Sequence, residues 1–216
     1  MTPANPSVDP SYEGAYGPFT ITAKDRREVL GYRLALLTVA IAQAALLAQW
    51  HWQGSAWIWP WLLPLAAGLG LALHWIHIYL RPLHRALQLL WLLGCLGCLA
   101  LAALVGPGAM GEVLAVNSGW IWAVGPLFAA LAGIGFKEFF CFRRPEAIGV
   151  TLLLPIALLG RLSGLLSAEA SGLLLAVEAG LLLLLCLRKF PMPAAADVGD
   201  KSVFAYLESR RSSAAA

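Results

Sequence analysis

From residue 29 onward, long apolar runs alternate with short polar interruptions. The runs read as Val29 to Trp50, Ala56 to Leu80, Leu83 to Val105, Gly119 to Phe140, Ala147 to Leu166 and Gly172 to Leu187. A segment that crosses hydrocarbon needs about 20 mostly apolar residues, because inside a bilayer only a helix satisfies its own backbone. The pattern therefore predicts an all-α membrane protein, a compact bundle of six transmembrane helices over residues 23–190. A flexible cytoplasmic arm, residues 1–22, precedes it, and a cytoplasmic C-terminal segment, residues 191–216, follows.

Composition agrees with this class. The chain is 60% hydrophobic and only 12% charged, with a mean hydropathy of +0.74. No soluble domain of this size needs such a balance. The lipid bilayer is the expected environment, membrane proteins are the expected partners, and no nucleic-acid partner is expected.

The basic residues set the orientation. Lys24, Arg26, Arg27 and Arg33 precede or enter the first run, Arg81 and Arg85 fall in the second connection, and Lys137, Arg143 and Arg144 in the fourth. Arg188, Lys189, Lys201, Arg210 and Arg211 follow the last run, so six crossings place 14 of the 15 lysines and arginines on one side. Both termini are therefore expected in the cytoplasm. Tryptophan marks the other face: Trp50, Trp52, Trp57, Trp59, Trp61, Trp120 and Trp122, seven of nine, surround the first and third connections, where an indole sits half in lipid and half in water.

The ends of the chain are legible in part. Residues 1–22 are polar, with Pro3, Pro6 and Pro10, and lack the apolar core of a cleaved signal. In "TITAKDRREVLGYR", Thr22 is placed to cap the first helix and Asp25 to occupy its third position, where a negative charge is favoured. Beyond the last run, prolines stop the helix. Asp200 then caps a short amphipathic segment in which Val203, Tyr206 and Leu207 share a face. No repeat of 20 to 50 residues is evident.

Candidate chemistry concentrates in "HWIHIYLRPLHRALQLLW". Pro82 cannot continue an arriving helix but suits the first turn of a new one, so the chain is expected to reverse at "YLRPLH". His74 and His77, three apart, would share one side of the second helix, His84 would begin the third, and Glu138 would lie at similar depth on the fourth. Converging, these four would form a site for a transition metal, a ligand or a proton relay. Histidines at an interface, with Tyr79, Arg81 and Arg85, are more commonly anchors or internally hydrogen-bonded, the arginines reaching anions or lipid headgroups. No tight ligand spacing such as HExxH supports the site reading.

Two further charges lie within apolar runs. An Arg161–Glu178 ion pair is expected from their similar depth on antiparallel helices, the alternative being that Arg161 snorkels to the interface while Glu178 is protonated. The cysteines of "GCLGC", Cys95 and Cys98, read with Gly94 and Gly97 as a small-residue surface for a close helix neighbour. Cys141, flanked by Lys137, Arg143 and Arg144, is a candidate reactive thiol. Small residues in "PLAAGLGLA" and "ALAGIGFKE" favour close helix contacts over a wide pore, and neither a chain of embedded acids nor a paired broken-helix pattern points to transport.

The stretches "GPFTITAKDRREVLGYR", "HIYLRPLHRALQLLW", "FKEFFCFRRPEA" and "DVGDKSVFAYL" resemble an uncharacterised family of integral membrane proteins from cyanobacteria and related plastid-bearing lineages, over about Tyr12 to Leu207. The resemblance implies a multi-pass protein of the plasma membrane or thylakoid. It transfers no catalytic residue and no cofactor. Two classes of function follow: a non-enzymatic scaffold or assembly factor for membrane complexes, or a small membrane enzyme or metal- or haem-binding protein using the cytoplasmic-side His and Glu groups.

Overall fold

The computed structural model describes residues 11–78 and 80–215. Two short strands, β1 (Ser11–Gly14) and β2 (Gly17–Thr20), form an antiparallel hairpin in the register Ser11 to Thr20. This corrects the expectation of a loose arm over its second half; residues 1–10 of that arm lie outside the described residues. Helix α1 (Ala23–Gln53) then starts with the capping box its sequence predicts. Asp25 N donates to Thr22 Oγ1 at 3.2 Å and Thr22 N to Asp25 Oδ2 at 2.7 Å, which satisfies two amides that the first turn leaves open.

The remaining long helices are α2 (Trp59–Trp75), α3 (Arg81–Val105), α5 (Ile121–Phe142), α6 (Pro145–Leu162) and α7 (Ala168–Lys189), with a short α4 (Met110–Val116) between α3 and α5. Five of these elements are long and apolar enough to cross a membrane, α5 being counted with the single turn before it. α2 has 17 residues, at the lower end of the roughly 17–25 that a crossing takes, and is not among the five. The run expected to stay helical to Leu80 leaves the helix at Trp75, and Ile76 is extended at φ −69°, ψ 132°. Alternation explains the break: Ile76 and Ile78 turn into the core while His77 points the other way, the period of two of an extended chain. Pro82 sits in the first turn of α3 as expected.

The long helices close into a ring. α1 packs on α2 and α7, α3 on α5, and α6 between α5 and α7, while α2 meets α3 along a smaller contact. A continuous core runs through it, including Leu36, Val39, Leu69, Leu127, Leu131, Leu154 and Leu182. The seam between α3 and α5 is set by glycine. A Cβ added at Gly97 would lie 1.9 Å from the Ala123 carbonyl oxygen and one at Gly94 2.3 Å from Leu127 N, so the small-residue surface of "GCLGC" receives α5 directly.

After α7 the chain folds back as α8 (Ala194–Val198) and α9 (Ser202–Ala215). Ala15 N donates to Asp200 Oδ2 at 2.6 Å, Tyr16 N donates to Ser202 Oγ at 3.0 Å, and the Tyr16 and Tyr206 rings stack at 4.0 Å. The two terminal segments thus form one cap at one end of the bundle, seated on a small cluster of Ile21, Val29 and Val198.

Candidate functional site

Directly beneath this cap lies a buried cluster of charge that joins Glu138, expected in the histidine site, to Arg33, Lys137 and Lys189, expected only as markers of orientation, and to Tyr32 and Asp197, which sequence reasoning missed. Tyr32 and Arg33 come from α1, Lys137 and Glu138 from α5, Lys189 from the last position of α7, and Asp197 from α8. None exposes more than 7% of its surface. Glu138 accepts from Tyr32 Oη at 2.6 Å, from Lys137 Nζ at 3.3 Å and from Lys189 Nζ at 2.6 Å. Lys189 also donates to Asp197 Oδ1. Arg33 approaches Asp197 Oδ2 through Nε and Nη2, both at 2.6 Å, and gives its other hydrogens to the carbonyls of Phe190, Met192 and Pro193. The lysine ammonium groups lie 4.8 and 4.9 Å from the Phe142 ring centroid, within cation–π range.

The arrangement follows from local structure. α7 ends at Lys189, and its open carbonyls and negative dipole end attract cations. Arg33, with five donors in a planar fork, can hold a carboxylate with two of them while others reach carbonyls. A charge buried here without a partner would cost several kcal/mol, so the network ties α1, α5, α7 and α8 together as a unit. Beside it, Arg188 pairs with Glu146 at 3.2 Å, and Arg144 Nη2 reaches Met192 Sδ at 2.7 Å.

The four residues expected to converge take separate partners. His84 donates through Nε2 to the Leu73 carbonyl at 2.7 Å, satisfying an open group at the end of α2. His77 Nε2 stands 3.7 Å from Glu28 Oε2. His74 is exposed and packs edge-on to Trp75. Glu138 is enclosed by Tyr32, Lys137 and Lys189. The cause of the separation is the end of α2 at Trp75, which takes His77 off the helical face it was to share with His74. Tyr79 lies outside the described residues.

His77 instead joins α1. Its nitrogen and the carboxylates of Asp25 and Glu28 offer ligand atoms within 4.8 Å of one another, a trio that could hold a metal ion. Asp25 is already occupied by Lys201 at 2.8 Å and Glu28 lies 3.7 Å from Lys24. Burial pulls the His77 imidazole below its ordinary pKa, partly opposed by Glu28.

The other site residues are placed as follows. Arg81 and Arg85, four apart, are exposed on the first turns of α3. Arg161 donates to the Ala115 carbonyl at 3.3 Å near the end of α4, and Glu178 accepts from Gln43. The expected Arg161–Glu178 pair is therefore replaced by two separate contacts. α7 begins only at Ala168, and Arg161, near the end of α6, is drawn to the open carbonyls of a short helix. Cys141 is exposed near the end of α5. Two of its three expected cationic neighbours are engaged elsewhere, Lys137 with Glu138 and Arg144 with Met192.

A ring of apolar helices with lipid-sized exposed leucines outside and a sealed charge cluster at one end defines a polytopic α-helical integral membrane protein. Residues 71–206 match the model of a family described as uncharacterized integral membrane proteins (DUF2301), and the chain belongs to that family. The match begins within α2 and contains Lys137, Glu138, Lys189 and Asp197, while Tyr32 and Arg33 precede it. No curated protein and no solved structure matches the chain.

Proposed function

We propose that this protein is a non-enzymatic scaffold or assembly factor for membrane complexes, a six-span bundle whose two terminal segments form a docking platform on the cytoplasmic face. The carrying observation is the cluster under the cap. Glu138, Lys189, Asp197 and Arg33 spend their charges on one another and on backbone carbonyls, which fastens the C-terminal segment to the membrane domain. α9 leaves that fastened cap with exposed Glu208, Ser209 and Arg210, a surface suited to a polar partner. Exposed Arg81 and Arg85 lie at the same end, within reach of lipid headgroups.

The count of six and the cytoplasmic termini are supported by the bias of lysine and arginine and by the contact between Ala15 and Asp200, which requires both segments on one side. Reporter fusions at each terminus should both report the cytoplasm, and termini on opposite sides would remove the platform. The family resemblance favours the plasma membrane or thylakoid as host, which membrane fractionation tests.

A metal- or haem-binding role is the second reading, favoured by the Asp25, Glu28 and His77 trio. Purification in mild detergent decides between them. The scaffold predicts co-purifying subunits of a larger membrane complex with neither a haem spectrum nor stoichiometric metal; bound haem or metal without such subunits overturns it.

A further inference from the structure

Four buried side-chain polar atoms among the described residues have no hydrogen-bond partner, and two of them belong to one pair of residues: Gln43 Oε1 and Glu178 Oε1. The pair joins α1 to α7, since Gln43 Nε2 donates to Glu178 Oε2. It is fully enclosed, with Glu178 0% and Gln43 2% exposed. Both orphans are acceptors. An ionised carboxylate has no hydrogen to offer an amide oxygen, so a charged Glu178 would leave both unsatisfied and hold a full negative charge on one neutral donor.

Among the described residues no cation compensates that charge. On α1 the titratable groups nearest Gln43 are Arg33 and Tyr32 on one side and His51 on the other, and on α7 those nearest Glu178 are Glu169, Cys186, Arg188 and Lys189. Each lies at least eight positions away, about 12 Å along the axis. On α6, Glu146 is held by Arg188 and Arg161 by the Ala115 carbonyl. On α5, Lys137 and Glu138 belong to the cluster under the cap and Cys141 is exposed.

One proton resolves both orphans. With hydrogen on Oε1, Glu178 donates to Gln43 Oε1 while Gln43 Nε2 donates to Glu178 Oε2, closing an eight-membered acid–amide ring that has no net charge. We infer that Glu178 is a proton-binding site inside the membrane domain, and that its acid form, ringed with Gln43, is the clasp closing the first long helix onto the last. This stands apart from the scaffold reading, which rests on the cluster at the cap.

The test is infrared difference spectroscopy of the full chain in mild detergent, in H2O and D2O at neutral pH, with thermal unfolding of the same samples. Wild type should show a protonated-carboxyl C=O band that shifts down in D2O and disappears in Glu178→Gln. That variant should unfold at or above the wild-type temperature, because an amide in place of the acid preserves the ring without charge. Gln43→Met should move the band up in frequency, as a lost hydrogen bond requires, and lower the unfolding temperature. A wild-type spectrum without a band sensitive to Glu178→Gln overturns the inference. So does a Gln43→Met spectrum indistinguishable from wild type, an arm that remains decisive should Glu178→Gln not fold.

Discussion

Replacing Asp197 by alanine removes the only carboxylate that Arg33 meets in the cap cluster and one of two that hold Lys189. In the intact cluster three cations, Arg33, Lys137 and Lys189, face two anions, Glu138 and Asp197, none of the five more than 7% exposed. After the substitution the same three cations face Glu138 alone. Breaking a buried pair by removing one partner costs about 3–5 kcal/mol. The lower end applies here, because Arg33 keeps the Met192 and Pro193 carbonyls at 2.9 and 3.3 Å and Lys189 keeps Glu138 at 2.6 Å. A loss of about 3 kcal/mol corresponds to a fall in Tm of about 6–12 °C for a chain of this length. Thermal unfolding in mild detergent reads it, and a double-mutant cycle with Arg33→Met isolates the pair. The combined variant should be less destabilised than the sum of the two, since neither charge is then left alone. A fall in Tm below about 2 °C, or strict additivity, would refute the claim that this pair fastens the C-terminal segment.

Other outcomes follow from single contacts. Gly97→Ala places a methyl 1.9 Å from a backbone carbonyl and should destabilise by about 1–3 kcal/mol, whereas Gly180→Ala, with nothing within 4 Å, should be neutral or stabilising by up to about 1 kcal/mol; chemical unfolding of both compares the signs. His77, held neutral by burial, takes up its proton in the folded protein only below the ordinary value of 6.5, so the unfolded chain binds the proton first as pH falls. Stability should therefore decline on acidification through that value, and a His77→Gln variant should show a flatter Tm against pH. Asp200→Ala removes the carboxylate that joins Ala15 to Ser202, and limited proteolysis should then cut within residues 11–20 faster than in wild type.

Much of the architecture was written in the chain itself. Apolar runs, the Thr22 and Asp25 capping box and Pro82 at the head of α3 are local signals, each acting within a few residues or along one helix. Gly94 and Gly97 belong with them, since a missing side chain announces a close neighbour without saying which helix it is. The partners of the charges were not local. Arg33 meets Asp197 from 164 positions away and Gln43 meets Glu178 from 135. Both contacts exist because the ring closes the first long helix on the last. His77 was misplaced for a related reason: the burial of Ile76 and Ile78 in the tertiary core overrode the helical period and turned the imidazole toward Glu28. Sequence marked the apolar segments of an integral membrane protein, because transfer from water depends on each segment's own composition. Only the tertiary structure decided which polar groups neutralise one another, because in a buried site a charge is stabilised by whatever the fold brings within about 3 Å of it.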